Sequence, residues 1–169
     1  MMIALTQRLD DLDNETTIAG ALVLTIAQRE RTRFRATLDN GQTVVVQLPR
    51  GGSVLRPGDY LGDGEGFVVR VEAALESVST ATHPDPWKLL QAAYHLGNRH
   101  APLEIGAGYL RYHHDHVLDG MVEGLGLVVV HENAPFQPES GAYSHGSPDH
   151  GSSHGHGHHY ASGGVYALD

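Results

Sequence analysis

All thirteen histidines of this chain lie at or beyond His83, and the residues before it hold none. Neutral imidazole is the commonest protein ligand for late transition metals. The asymmetry therefore suggests two regions of the 169 residues with different jobs, the second able to offer imidazole ligands. A chain of this length holds one domain or two small ones, and the histidine distribution favours two.

The histidine-free region reads as β structure. Residues 18–26 form a short apolar run of strand type. Thr32, Phe34, Ala36 and Leu38 then alternate with Arg31, Arg33, Arg35 and Thr37, and Thr43 to Leu48 is again strand-like. Asn40-Gly41 between these runs signals a hairpin, because such turns need positive φ. Pro57-Gly58-Asp59 and Asp63-Gly64-Glu65-Gly66 mark two more turns. Residues 1–75 are thus expected to be a small all-β domain. Its three-arginine stripe reads as a solvated strand face; the alternative is a surface for an acidic partner. The glycine-rich turns lack the G-x-x-x-x-G-K-[ST] pattern of a phosphate loop.

Beyond Phe67 the pattern changes. Val68 to Val78 reads as one strand. Pro86 opens a helix at a position where its missing N–H costs nothing. Trp87, Leu90 and Tyr94 fall on one side of it, with Leu89, Ala93 and Leu96 adjacent, and Gly97-Asn98 ends it. Leu103-Glu104-Ile105 and Tyr109 to Tyr112 suggest a hairpin. Asp115 can cap a second helix with a stripe of Val117, Leu118, Met121, Val122 and Leu125, stopped by Gly126. Leu127 to Val130 is the last strand. The order β-α-β-β-α-β predicts an α+β chain whose residues 76–144 form a ferredoxin-like domain. Both helices should cover one sheet face and leave the other for a partner. Residues 145–169 hold six His, six Gly and four Ser. Such a segment cannot offset its ordering entropy and is expected to be a flexible, metal-binding tail.

Charge and composition exclude several functions. A net charge of −9 and only three Lys or Arg after residue 82 leave that region no basic face for nucleic acid. The absence of cysteine removes disulfides and thiolate ligands. No apolar run approaches the ~20 residues of a membrane span, and no basic-then-apolar leader is evident. A cytoplasmic protein without a membrane partner is expected.

Three groups of histidines can bind an ion. His100 sits just beyond a helix C-terminus, whose dipole favours a cation; Pro102 biases Ala101 to an extended conformation. His95, nearer the apolar side of the helix, reads as a hydrogen-bonded packing residue. His114 and His116, two apart at a strand end, can share a face and grip one ion, with His113 facing away. The competing reading is a polar helix entry capped by Asp115, and both can hold at once. In the tail, His150, His154, His156, His158 and His159 form a multidentate ligand that cannot impose geometry. Its affinities should follow the general preference for copper over nickel and zinc.

Three stretches now carry a resemblance: Tyr94-His95-Leu96-Gly97-Asn98-Arg99-His100-Ala101-Pro102-Leu103, Leu110-Arg111-Tyr112-His113-His114-Asp115-His116-Val117-Leu118-Asp119 and Pro135-Phe136-Gln137-Pro138-Glu139-Ser140-Gly141-Ala142-Tyr143. Together they resemble the urease accessory proteins, a nickel metallochaperone family, over essentially the whole chain. The resemblance implies a first domain similar to a chaperone peptide-binding domain and a ferredoxin-like metal domain. It implies a homodimer with Ni2+ held between two copies of His100, and Zn2+ or Cu2+ as possible substitutes. It implies handover through the urease accessory GTPase to the urease apoprotein complex. His145 becomes the first tail candidate to complete the shared site, and His114 with His116 a secondary site at most. Two other readings stand beside this one. A passive nickel, zinc or copper buffer would use the tail alone. A metallohydrolase would use His113 to His116 and His131, but no H-E-x-x-H or second motif supplies fixed ligands and a base. The chain is expected not to be an enzyme.

Overall fold

The structure is a computed structural model that describes residues 2–13 and 15–140. The tail histidines His145, His150, His154, His156, His158 and His159 lie outside the described residues, as does the end of the third family-like stretch.

Eight strands precede the second helix: β1 (Ile3–Leu5), β2 (Gln7–Leu9), β3 (Ile18–Leu24), β4 (Arg33–Thr37), β5 (Thr43–Gln47), β6 (Tyr60–Gly62), β7 (Val68–Ala73) and β8 (Leu75–Thr82). The first seven form two sheets, ordered β1-β5-β4 and β2-β6-β7-β3. Leu5, Val44 and Val46 from the first meet Leu22, Leu24, Leu61, Val69 and Val71 from the second in one buried core. The expected hairpin joins β4 to β5, with Arg33 opposite Gln47 and Thr37 opposite Thr43. Its turn places Gly41 at a φ of 86°, which a side chain would resist.

Two features here depart from the sequence pattern. The apolar run 18–26 breaks at Thr25, which caps a four-residue helix, α1 (Ile26–Arg29). Thr25 and Gln28 form a capping box, each side chain meeting the other's backbone. The run from Val68 to Val78 is likewise two strands, because β7 belongs to the first region's sheet and β8 starts another.

The second region continues with α2 (Pro86–Gly97), β9 (Leu103–Gly106), β10 (Tyr109–His113), α3 (His116–Gly124) and β11 (Val128–Pro135). With β8 these make one four-stranded sheet ordered β11-β8-β10-β9, antiparallel throughout. Ala92 and Leu96 of α2 and Val122 of α3 pack with Ala81, Leu110 and Tyr112 of the sheet. The whole is a mixed α+β chain dominated by sheet. No helix among the described residues is long and apolar enough to cross a membrane.

The sheet face away from the helices is not fully open. Val78 on that face is buried with Ile26, Ala134 and Phe136, so α1 and the segment after β11 cover one end. The rest carries Arg111, paired with Glu104 at 3.2 Å and Glu132 at 3.6 Å.

Candidate metal centre

Helix α2 starts where Asp85 accepts the Trp87 N–H at 3.0 Å, with Pro86 in the first turn. It closes with two backbone bonds, His100 N–H to the Gly97 carbonyl at 2.9 Å and Ala101 N–H to the Leu96 carbonyl at 3.3 Å. This is the Schellman pattern, whose left-handed position is usually glycine. Here His100 occupies it, at a φ of 55°, the sole non-glycine with positive φ among the described residues. Such a conformation costs a side-chain-bearing residue about 1–2 kcal/mol. The result is an exposed imidazole fixed at the negative end of the helix dipole. His95 is half-buried and packs edge-to-face on Tyr94, with ring centroids 5.4 Å apart. It is a packing residue, but its ring hydrogen-bonds no described side chain.

Helix α2 has a second apolar face. Trp87, Leu90 and Tyr94 are 71%, 57% and 67% exposed and run toward the end that carries His100. The buried face is Leu89, Ala92, Ala93 and Leu96.

The second histidine cluster is divided. His113 ends β10 and turns to the far face, where Nε2 meets Glu76 at 3.1 Å and the ring lies 4.5 Å from that of Phe136. His114 follows in the turn: Nδ1 lies 3.1 Å from both Asp119 Oδ2 and Ser79 Oγ. With the carboxylate as acceptor the ring carries its proton on Nδ1, which leaves Nε2 as the basic nitrogen. The ring stacks on His131 at 3.9 Å, and His131 Nε2 is 2.9 Å from Ser77 Oγ. Asp119 also accepts the Tyr112 hydroxyl at 2.9 Å; burial, then this bond, pushes that phenol far above its ordinary range. Asp115 caps α3, accepting the N–H groups of Val117 and Leu118. Bonds from Leu118 and Val117 hold its carboxyl below the usual carboxylate range. His116 is the first residue of α3, so it does not share a strand face with His114. Asp119 and Ser79 were missed in the sequence; His131 entered it only through the hydrolase reading, and the β8–β11 register, with His131 opposite Ser79, brings those two to His114.

Among the described residues no three His, Asp or Glu side chains stand close enough to hold one ion. A family model described as UreE urease accessory protein, N-terminal domain, matches residues 4–74, and the corresponding C-terminal domain model matches residues 76–161. A urease accessory protein UreE of Alkalilimnicola ehrlichii is 54% identical over 142 residues, 84% of this chain and 85% of that protein. One from Pseudomonas putida is 54% identical over 143 residues, covering 84% and 86%. One from Vibrio parahaemolyticus is 48% identical over 162 residues, 94% of this chain and all of that protein.

The chain belongs to the UreE family of urease accessory proteins. UreE proteins are accessory proteins and not enzymes, so the hydrolase reading of His113 to His116 and His131 falls. The UreE C-terminal match takes in α2, His100, both members of the His114/His116 pair and the tail histidines His145 to His159.

Proposed function

We propose that this chain is a nickel metallochaperone that delivers Ni2+ to apo-urease as the urease active site is assembled. The observation that carries the reading is His100, an exposed imidazole held in a left-handed backbone conformation beside an uncovered apolar helix face. A left-handed side-chain residue persists only where the surrounding structure holds it, here the two closing bonds of α2, and such residues cluster at functional sites. A homodimer through the Trp87, Leu90 and Tyr94 face would bury that face and bring each His100 toward its twofold copy. Two imidazoles bind an ion loosely, and His145, His150, His154, His156, His158 or His159 would complete the shell. An exposed, incomplete site suits cargo that must leave again. Zn2+ and Cu2+ would compete at any all-histidine site. His114, with Nε2 basic and Nδ1 held by Asp119, would offer with His116 a secondary site.

In this reading residues 1–75 are a partner-binding β domain, 76–144 a ferredoxin-like metal and dimerisation domain, and 145–169 a metal-binding tail. The β11-β8-β10-β9 strand order supports the ferredoxin-like assignment. The accessory GTPase and the urease apoprotein complex would receive the ion in the cytoplasm.

Nickel titration with mass measured by light scattering tests the reading, using the full chain and a form ending at Ser144. Both should be dimers, and the shorter should keep a shared site while binding fewer ions. Monomers with and without nickel would remove the proposal, and loss of all binding on truncation would favour the passive buffer. Binding needs neutral imidazole, whose reference pKa is about 6.5. Tail occupancy should therefore fall steeply below pH about 6, and a flat titration from pH about 7.5 to 5.5 would count against histidine ligation.

A further inference from the structure

Positive charge is concentrated in one part of this acidic chain. Residues 29–56 hold six arginines against Glu30 and Asp39, a local balance of +4 in a chain whose total is −9. Arg31, Arg33, Arg35, Arg50 and Arg56 make no ion pair with any described carboxylate. Arg33 and Arg35 are exposed on β4, with Phe34 and Ala36 turned toward the core between them. Strand β4 is the edge of its sheet and pairs only with β5, so its other side presents free N–H and C=O groups.

At the end of this sheet, where Arg31 and Thr32 lead into β4 and Leu48 and Pro49 follow β5, lies a cavity of about 480 Å³, a size at which pockets take up ligand side chains. Leu48, Pro49, Val54 and Leu55 give it an apolar wall; Arg31 and Glu30 stand on its lining, with Arg8, which is paired with Asp59. The edge strand with its arginine row thus runs back, through Thr32 and Arg31, to an apolar recess at the end of the same sheet.

We propose that this side is a docking surface for an acidic, extended peptide segment of a partner protein. Such a segment adds as a strand to β4, through main-chain hydrogen bonds. Its alternate carboxylates then face Arg33 and Arg35 as cross-strand pairs. An apolar side chain beyond them enters the cavity next to Arg31. Nucleic acid fits less well: the single aromatic of the strand, Phe34, is packed inward, so no stacking platform accompanies the charge. This docking surface rests on the reading of residues 1–75 as a partner-binding β domain and not on the nickel site.

The test is fluorescence anisotropy of the full chain with a labelled ten-residue peptide that alternates glutamate with serine around one leucine. Its counterparts replace each glutamate by lysine, or the leucine by serine. The glutamate peptide should bind and the lysine peptide should not. Arg33→Glu with Arg35→Glu should weaken binding by about tenfold or more at low salt, and Arg33→Lys with Arg35→Lys should retain most of it. Pro49→Glu, an exposed change at the cavity, should cancel the advantage of the leucine. Nickel binding and the melting temperature of each variant report whether the fold is intact. Equal binding of the glutamate and lysine peptides, or full binding by an intact Arg33→Glu, Arg35→Glu variant, would overturn the proposal. So would a single-stranded oligonucleotide that displaced the peptide at lower concentration than unlabelled peptide does.

Discussion

His100→Ala is expected to abolish the tight shared nickel site while leaving the chain folded. One substitution removes two ligands from a twofold site, because each copy supplies the same residue. Its nearest histidine in sequence, His95, is half-buried against Tyr94, and His114 belongs to a separate cluster with Asp119 and Ser79. Calorimetry should show the high-affinity event gone and only weak binding left. His114→Ala with His116→Ala should remove a secondary site at most and spare urease activation in a reconstituted system. Wild-type affinity in His100→Ala, with both binding and activation lost in the His114/His116 variant, would put the delivery site at His114 and His116 instead.

His100→Gly separates ligation from stability. Relief of a left-handed side-chain residue is worth about 1–2 kcal/mol, and the extra freedom of glycine in the unfolded chain takes back about 0.5–1 kcal/mol. Relief wins narrowly. The melting temperature should rise by about 1–3 °C in the variant that cannot bind nickel tightly. His100→Ala keeps the strained conformation, so its melting temperature should stay near that of the parent chain.

The sequence carried the parts of the fold that depend on local chemistry. Asn40-Gly41 marked the first hairpin, Asp115 the start of α3 and Gly126 its end, each through a short-range backbone requirement. The order of elements from β8 to β11 followed from periodicity. What periodicity could not show was the choice between neighbours. Val68 to Val78 is one alternating run, yet Ala74 hands the chain from one sheet to another. Thr25 and Gln28 have the spacing of a capping box, but Thr25 lies inside a run whose apolar residues read as strand, and α1 shows only in the structure. Trp87, Leu90 and Tyr94 look like core by composition, and only packing tells which apolar face of α2 is covered. At the metal centre, Gly97-Asn98 marked the helix end correctly. The left-handed residue lay two positions beyond Asn98, where histidine gave no warning of it.

Arg29→Ala is expected to destabilise the chain by about 3 kcal/mol and to loosen the join between its two regions. Arg29 is 1% exposed. Its guanidinium donates to the carbonyl of Leu55 at 3.4 Å, to the carbonyl of Phe136 and to the side chain of Gln137. Nε has no partner among the described residues. Burial lowers its pKa and the field of Glu76 opposes the shift most, yet a guanidinium stays charged at any working pH. The charge is thus held mainly by neutral oxygens from both regions, next to the packed Ile26, Val78 and Phe136. Alanine would leave those oxygens buried and unpaired and open a void beside them. Arg29→Lys should recover little, because one ammonium cannot span the same acceptors as a planar fork. Arg29→Met should restore the volume and not the hydrogen bonds, so it should fall between alanine and arginine. The readout is urea unfolding with amide exchange, where β8 and the segment from Ala134 to Gln137 should lose protection first. Nickel affinity at His100 should be unchanged, since Arg29 lies on the sheet face opposite α2 and α3. An alanine variant that unfolded at the parent midpoint, with no loss of protection at Phe136, would show that apolar packing alone joins the two regions.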